Sequence, residues 1–597
     1  MKTSRRDFLR TSLFVAAGAP ALAAMLDTAL SCAAEAAGFV RTASNDILWR
    51  GAFGSAYKKA IHRLSEAPIN DVDFILADVN FNQERRFTNY SGDISGRFIE
   101  VASLSSAKDN PQPSALMPVI EKIISYQNED GHYGRPVDWS QPVDIAGAND
   151  QSLVMPILWG NGRLLLGLIA AYERFGIDAA LESAKKMGDF YVNIVCPRFC
   201  DPARMAEYTP EAAGYAAAYV TCVFHGIEGL VRLWRFTREK KYLDTAIEMA
   251  NFHEPFDTLP VGHSHGSIST HEALMMLYEE TGDKKWLDRV VDRWEAAYRG
   301  GYVNPCGGVS EQYKIRYTTD EGCSEADLLR LNLMLWRDTG QTRYLDMAER
   351  LLYNAYLMNQ WSTGGFGHRQ LAADDSGTYG WLERVAESYW CCTYHGGMGY
   401  YEFKECLAVY DKTADAILYN FPLDFSAPLD DGRWTVDSVL LDAAEGVPVR
   451  TRVTLEGTAG DVAFALRFPD WAEAVSVMVD GKQLHGTVSG GYWKASTRFA
   501  PGTLLEISYH ARPILEDRHF HKLAIPAQLP AKIGQGLLRL GPNVLHALDG
   551  DATVIRPLTL QVQDGVIQIP EGFASVEAMS DEQRDGKHAF VFDLEIQ

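Results

Sequence analysis

The feature that most narrows the fold is a pattern repeated four times between residues 172 and 346. An aromatic near the end of one amphipathic run is followed by a short polar turn and then by a second amphipathic run. The copies read Tyr172-Glu-Arg-Phe-Gly-Ile-Asp, Trp234-Arg-Phe-Thr-Arg-Glu-Lys-Lys-Tyr-Leu-Asp, Tyr278-Glu-Glu-Thr-Gly-Asp-Lys-Lys-Trp-Leu-Asp and Trp336-Arg-Asp-Thr-Gly-Gln-Thr-Arg-Tyr-Leu-Asp. Apolar positions on either side recur at helical spacing, so each copy reads as a helical hairpin. Successive aromatics lie 62, 44 and 58 residues apart, too irregular for a solenoid of fixed period but right for hairpins with variable loops. Hairpins that close on themselves make an (α/α) barrel, with the long loops at one end carrying the chemistry. Residues 111–412 are expected to form it.

Near Thr413 the period changes from helical to alternating. Ala416-Ile-Leu-Tyr-Asn, Val447-Pro-Val-Arg-Thr-Arg-Val-Thr-Leu, Val462-Ala-Phe-Ala-Leu-Arg-Phe and Val475-Ser-Val-Met-Val-Asp-Gly-Lys read as strands separated by turns rich in Gly and Asp. The fold class is therefore mainly α with C-terminal β: the barrel, then a β-sandwich over 413–512 and a second small β-module over 513–597. The segment 36–110 is mixed and is placed to lend a strand to the sandwich.

At the amino terminus Ser4-Arg5-Arg6-Asp7-Phe8-Leu9-Arg10 precedes an apolar, alanine-rich run from about Leu13 to Leu26. Residues 1–35 resemble a twin-arginine export signal, which implies a periplasmic or secreted protein. The run is too short for a membrane span. Cys32 follows a poor lipobox, so a lipid anchor is the lesser expectation. The balance of 56 basic against 78 acidic residues, a formal charge of −22, argues against nucleic acid or an anionic membrane as partner. Nine cysteines at irregular spacing in 597 residues do not form a disulfide framework.

Chemistry concentrates in Trp390-Cys391-Cys392-Thr393-Tyr394-His395 and in Asp320-Glu321-Gly322-Cys323. Adjacent cysteines cannot both face one way along a regular helix or strand, so a shared task must be local, and metal ligation is such a task. Glu321, Cys323, Cys391 and Cys392 offer one carboxylate and three sulfurs, the donor set of a four-coordinate Zn2+ site. Ordinary buried thiols and a vicinal disulfide are the other readings of these residues, and the spacing alone leaves them open.

Tyr90-Ser-Gly-Asp-Ile-Ser-Gly-Arg-Phe, the helical hairpins, Gly307-Gly-Val-Ser-Glu311, the Glu321/Cys323 and Cys391/Cys392 pairs and Leu466-Arg-Phe-Pro-Asp-Trp together resemble glycoside hydrolase family 127 and its close relatives. The likeness runs in order over nearly the whole chain. It implies a retaining β-L-arabinofuranosidase with an (α/α)6 barrel, acting on a terminal sugar of an oligosaccharide or polysaccharide. The metal ligands would be Glu321, Cys323, Cys391 and Cys392, with Cys391 as nucleophile and Glu311 as acid/base. His225 and His265 fall where the family places sugar-binding groups; His395, just after the cysteine pair, is within reach of the site to orient substrate or a zinc ligand, and Asn161 is a further candidate for binding substrate. Where the family carries a His in an early helix this chain reads Trp159-Gly160-Asn161, and prolines after the cysteine pair are replaced by Thr393-Tyr394. The sugar is thus less constrained than the mechanism.

Three alternatives remain at this level. One is the same mechanism on another plant-polysaccharide sugar. The second is a metal-free hydrolase or lyase using paired carboxylates such as Glu311 and Glu321. The third is a non-catalytic carbohydrate-binding protein with structural zinc. Oligomeric state, a homodimer included, is left open.

Overall fold

The computed structural model describes residues 39–40 and 46–596, apart from 108–109, 142–153, 205–222, 258, 260–262, 314–318, 374–378, 443–448, 459, 524–533, 549–556, 559, 565, 586–589 and 592–593. Residues 1–35, which resemble an export signal in sequence and include Cys32, lie outside them.

The four sequence repeats become four turns built by one device. The carbonyls of Tyr172, Trp234, Tyr278 and Trp336 each accept from the backbone N–H four residues on, that of Gly176, Arg238, Gly282 and Gly340. All four of those residues are left-handed, with φ between 57° and 68°, the conformation that ends a helix. In the last three copies a threonine stitches the turn. Thr237, Thr281 and Thr339 donate to the carbonyl four residues back and accept from the N–H two residues on. The following aromatics Tyr242, Trp286 and Tyr344 are buried and start the return helix.

Thirteen helices carry the argument: α1 Gly51–Arg63, α2 Val72–Asn80, α3 Asp93–Leu104, α4 Leu116–Ile123, α5 Val154–Phe175, α6 Asp178–Phe190, α7 Gly226–Thr237, α8 Lys240–His253, α9 Ser264–Thr281, α10 Lys284–Arg299, α11 Gly322–Thr339, α12 Arg343–Leu351 and α13 Gly397–Lys404. Contacts run α3–α5–α7–α9–α11–α13 and back to α3, a closed inner ring. The outer layer is α4, α6, α8, α10 and α12, each against its inner partner, with α1 against α13. Inner helices are apolar or internally paired all round: every residue of α3 is buried, as is every residue of α5 from Val154 to Ala171. Outer α10 buries only Trp286, Leu287, Val290, Trp294 and Tyr298, a single stripe. The length and hydropathy of α5 would suit a membrane span, but its apolar window is wholly buried within this ring.

The strand region opens at Ala408–Asp411, slightly ahead of the change of period seen in sequence. Its sandwich consists of two sheets. One has the order Phe39–Val40, Ala408–Asp411, Ala416–Tyr419, Ala463–Arg467, Tyr492–Ala495, Gly486–Ser489. The other runs Lys482–Gln483, Ala472–Val479, Thr503–Ala511, Val449–Gly457, Trp434–Asp442, Phe425–Leu429, Leu48–Trp49. The amino-terminal segment thus contributes an edge to each sheet. Alternation along Thr503–Ala511, with Leu505, Ile507 and Tyr509 inward, gives the sandwich its core.

One element inside the barrel was not expected to be β. Gly367–Ala373 and Tyr379–Glu387 form a hairpin between α12 and α13, and its outer strand pairs with Phe590–Val591. The C-terminal region thus has a sheet of its own, Ile514–Glu516, Gly534–Leu540, Leu594–Ile596 and Pro557–Leu558, and also extends a barrel hairpin. Buried ion pairs weld this joint: Arg350 bonds Glu516, and Arg539 bonds both Glu516 and Asp470.

Candidate active site

The inner helices all begin at one end of the ring, and the sequence motifs sit at those beginnings. Glu321 is the N-cap residue of α11, in extended conformation (φ −142°), and Cys323 lies in its first turn. Cys391 is the N-cap of a short helical turn, Cys392–His395, leading into α13. Its φ of −161° and ψ of −66° break the helix phase between the two cysteines, so two adjacent sulfurs serve one site. Ser388 anchors the break, its carbonyl accepting from the N–H groups of Cys391 and Thr393.

The ligand atoms of Glu321, Cys323, Cys391 and Cys392 all lie within 4.8 Å of one another, and all four residues are buried. Cys391 Sγ is 3.4 Å from Cys392 Sγ and 3.9 Å from Glu321 Oε1. The thiols are free, with no disulfide between them. Burial pushes the Cys391 thiol well above its usual range, Cys323 up to about 12 and the Glu321 carboxyl up to about 8. Cys392 alone is pulled down against burial, to about 6, by hydrogen bonds from Cys323 and Cys391. Four acids this close cannot ionise together without a cation among them, and the soft, thiolate-rich donor set suits zinc.

Around this cluster the helix starts supply bases. His263, the N-cap of α9, places Nε2 3.3 Å from Glu321 Oε2 and 3.7 Å from Glu311 Oε1. One imidazole therefore bridges the candidate ligand and the candidate acid/base. Burial opposes charge on His263, but Glu321 and Glu311 win and raise its pKa. Glu311 is correspondingly pulled down to about 2, against its own burial, by His263. Its loop is fixed by backbone bonds from Ser264 N to Glu311 O, 2.8 Å, and from Glu311 N to Thr319 O, 2.9 Å. Ser324 Oγ donates to Glu321 Oε2 at 2.9 Å and pairs with Ser264 Oγ.

His265 and His395 converge on Asp327. His265 Nδ1 and His395 Nε2 each bond one carboxylate oxygen, the second at 2.6 Å. His265 Nε2 accepts from Arg97 Nη2 at 2.9 Å and Arg163 Nη2 at 3.0 Å. Both its nitrogens are thus committed, and burial followed by the two guanidiniums holds it neutral. His265, Asp327 and His395 also have metal-ligand geometry, but two guanidiniums face the imidazole a cation would need. His225, the N-cap of α7, packs its ring 4.1 Å from Trp159. Among the described residues, His225 Nε2 and His395 Nδ1 are buried without a hydrogen-bond partner.

Asn161 stands apart from this group. Its amide accepts from Tyr133 N and donates to the carbonyls of Ser91 and Tyr133, leaving no polar atom for a ligand. Sequence reading passed over His263, Arg97, Arg163, Asp327 and His368. His263 had a signal, sitting two residues from His265 in the same motif; Arg97, Arg163 and Asp327 meet only because α3, α5 and α11 all face the centre of the ring, and His368 arrives on the strand Gly367–Ala373.

The family model described as the β-L-arabinofuranosidase GH127 catalytic domain matches residues 305–403, and the GH127 middle domain matches 431–511. Among solved structures, a GH127 β-arabinofuranosidase is 17% identical with a TM-score of 0.62, covering 85% of each chain. A GH127 β-L-arabinofuranosidase from Geobacillus stearothermophilus T6 is 14% identical, TM-score 0.65, over 92% of this chain and 100% of that one. A protein described as a glycoside hydrolase is 13% identical, TM-score 0.64, over 94% of this chain and 98% of the other. No curated protein matches. At these identities the structural likeness concerns the fold.

Proposed function

We propose that this chain, which belongs to glycoside hydrolase family 127 and is a β-L-arabinofuranosidase-like enzyme, releases a terminal sugar with retention of configuration through Cys391. The observation that carries the reading is the buried Glu321, Cys323, Cys391 and Cys392 set within 4.8 Å, with Glu311 one imidazole away. These four residues would hold zinc, which keeps coordinated thiols deprotonated at neutral pH.

The Cys391 sulfur attacks the anomeric carbon as the glycosidic C–O bond breaks, and the departing oxygen takes a proton from Glu311. That requires a protonated Glu311, whereas the resting pair is Glu311 carboxylate with His263. Moving one proton from a His263 imidazolium to Glu311 turns the pair into acid and neutral imidazole. In the second half Glu311 takes a proton from water, whose oxygen attacks the anomeric carbon, and the C–S bond breaks. His225 Nε2 and His395 Nδ1 are free to meet sugar hydroxyls, and Trp159 is the apolar wall beside them.

β-L-Arabinofuranose is the first sugar to try. Trp159 supports a second reading, the same chemistry on another furanose or pyranose, because its bulk fills space beside His225. The Arg5-Arg6 segment supports export to the periplasm or beyond. The test is elemental analysis of freshly reduced protein with turnover of p-nitrophenyl β-L-arabinofuranoside beside a panel of other glycosides. Stoichiometric zinc, turnover, its loss in Cys391→Ala, and a glycosyl adduct on Cys391 by mass spectrometry are expected. Protein without zinc, or a fully active Cys391→Ala, sinks the mechanism in favour of the carboxylate pair.

A further inference from the structure

Arg97 has no part in the reaction just described, yet it is the side chain that meets the ligand set from inside the ring. Its guanidinium is held in three directions. Nε donates to Asp93 Oδ1 at 2.8 Å, Nη2 to His265 Nε2 at 2.9 Å, and Nη1 to Cys323 Sγ at 3.3 Å. Asp93 Oδ1 also accepts from Trp159 Nε1 at 2.9 Å. Arg97 is 1% exposed. No lysine could satisfy that fork, because its donors radiate from one point.

The three sulfurs are therefore not equivalent. Cys323 receives a charged hydrogen bond. Cys392 Sγ lies 3.7 Å from His368 Nε2, a ring whose Nδ1 is turned to the Asp320 carbonyl at 3.0 Å. Cys391 is hydrogen-bonded by no basic side chain among the described residues. It is also the sulfur-bearing residue with some opening to the outside, at 6% exposure against 0% for the other two. A donated N–H draws electron density from a thiolate, weakening it as a nucleophile and tying down its position.

We propose that Arg97 is a positioning residue that fixes Cys323 as the spectator sulfur, so that attack falls to Cys391; Asp93 and Trp159 hold Arg97 in plane. This rests on the zinc–thiolate reading above. It makes the sugar-facing Trp159 and the metal-facing Cys323 two ends of one hydrogen-bonded chain through Asp93 and Arg97.

The test is cobalt substitution of the full chain in wild type, Arg97→Lys and Asp93→Asn. Wild type should show sulfur-to-cobalt charge-transfer absorption. In Arg97→Lys that band should move to longer wavelength, because the unbonded thiolate is the better electron donor. Cobalt affinity should weaken on the order of 10–100-fold. In the zinc form kcat should fall at least about 10-fold with KM little changed, since an orientation effect acts on the reaction step. Asp93→Asn, which keeps the shape but loosens the guanidinium, should lie between and stands in should Arg97→Lys not fold. An unshifted band and unchanged affinity in either folded variant overturns the inference alone. Wild type lacking any charge-transfer band overturns the metal–thiolate reading and the inference with it.

Discussion

Gly96→Ala is the sharpest small perturbation of this site. Helices α3 and α5 meet backbone to backbone: a Cβ on Gly96 would lie 2.5 Å from Leu164 N and 2.6 Å from Arg163 C and Leu164 Cα. None of these atoms can rotate away. Ordinary van der Waals contact begins at 3.4 Å, so the helices must part locally by about 1 Å. Overpacking of this kind costs about 1–3 kcal/mol, more than the roughly 1 kcal/mol that Ala gains over Gly in a helix interior. The functional effect is larger than the stability effect. Arg97 and Arg163 flank the contact and both donate to His265. A 1 Å displacement would stretch the Arg97 bond to Cys323 beyond hydrogen-bond range, and a misplacement of that size costs on the order of 10²-fold in rate. The assay is urea unfolding by circular dichroism, comparing the first transition because a chain this long need not unfold in two states, with kcat at matched zinc content. Gly460→Ala, where an added Cβ meets nothing within 4 Å, is the neutral control. A Gly96→Ala protein at least as stable as wild type and with full kcat refutes the argument that this seam sets the position of Arg97.

Three further outcomes are expected. Arg350→Met removes a buried partner of Glu516 and a 2.7 Å donor to the Pro305 carbonyl, so thermal unfolding should report a loss of about 3–5 kcal/mol; a loss under about 1 would show the joint to be soft. Burial holds His546 down from 6.5 to about 3; since the unfolded chain takes up the proton first, this stability is present above about pH 6.5 and lost as pH falls toward 3, at up to about 1.4 kcal/mol per pH unit. Urea midpoints of His546→Asn should therefore fall less steeply with acid than wild type, and parallel curves would refute this. Trp159→Ala should raise KM about 2- to 10-fold, as expected when a stacking wall of roughly 0.5–1.5 kcal/mol is removed; an unchanged KM across the glycoside panel would take Trp159 out of the sugar site.

How much of this was legible beforehand follows from range. The hairpin turns were, because their whole device is local: Trp234, Tyr278 and Trp336 cap their helices within four residues. The donor set was legible because Glu321 with Cys323, and Cys391 with Cys392, are neighbours in sequence and rare in kind. The hairpin Gly367–Glu387 was not, because its partner strand Phe590–Val591 arrives from the far end of the chain. Asn161 reads in sequence as a candidate substrate group, yet its amide ties Tyr133 to Ser91. An amide 28 and 70 residues from its partners carries no sequence mark of that role. Arg97 shows the opposite limit. A buried arginine in a helix reads as a structural ion pair with Asp93 four residues earlier, which it is; only the ring, which brings Arg97 of α3 to the start of α11, gives it the Cys323 sulfur to bond.

Ring closure also accounts for the electrostatics of the site. His225, His263, Glu321 and Cys391 are each the N-cap of an inner helical segment, and Asp93 opens α3. Because outer helices carry the chain back each time, the inner helices run the same way and their N-termini meet at one mouth. Each N-terminus presents unpaired N–H groups and about half a positive charge. Anionic ligands gather there at less cost than anywhere else in the barrel. A barrel of this topology is thus disposed to place an acid-rich centre at that end, and Arg97 with His263 completes the balance from within. Under the proposed function, Trp159 and the imidazole nitrogens of His225 and His395 that have no hydrogen-bond partner among the described residues are the groups left to meet a neutral glycan, since the rest of the mouth is committed to holding charge.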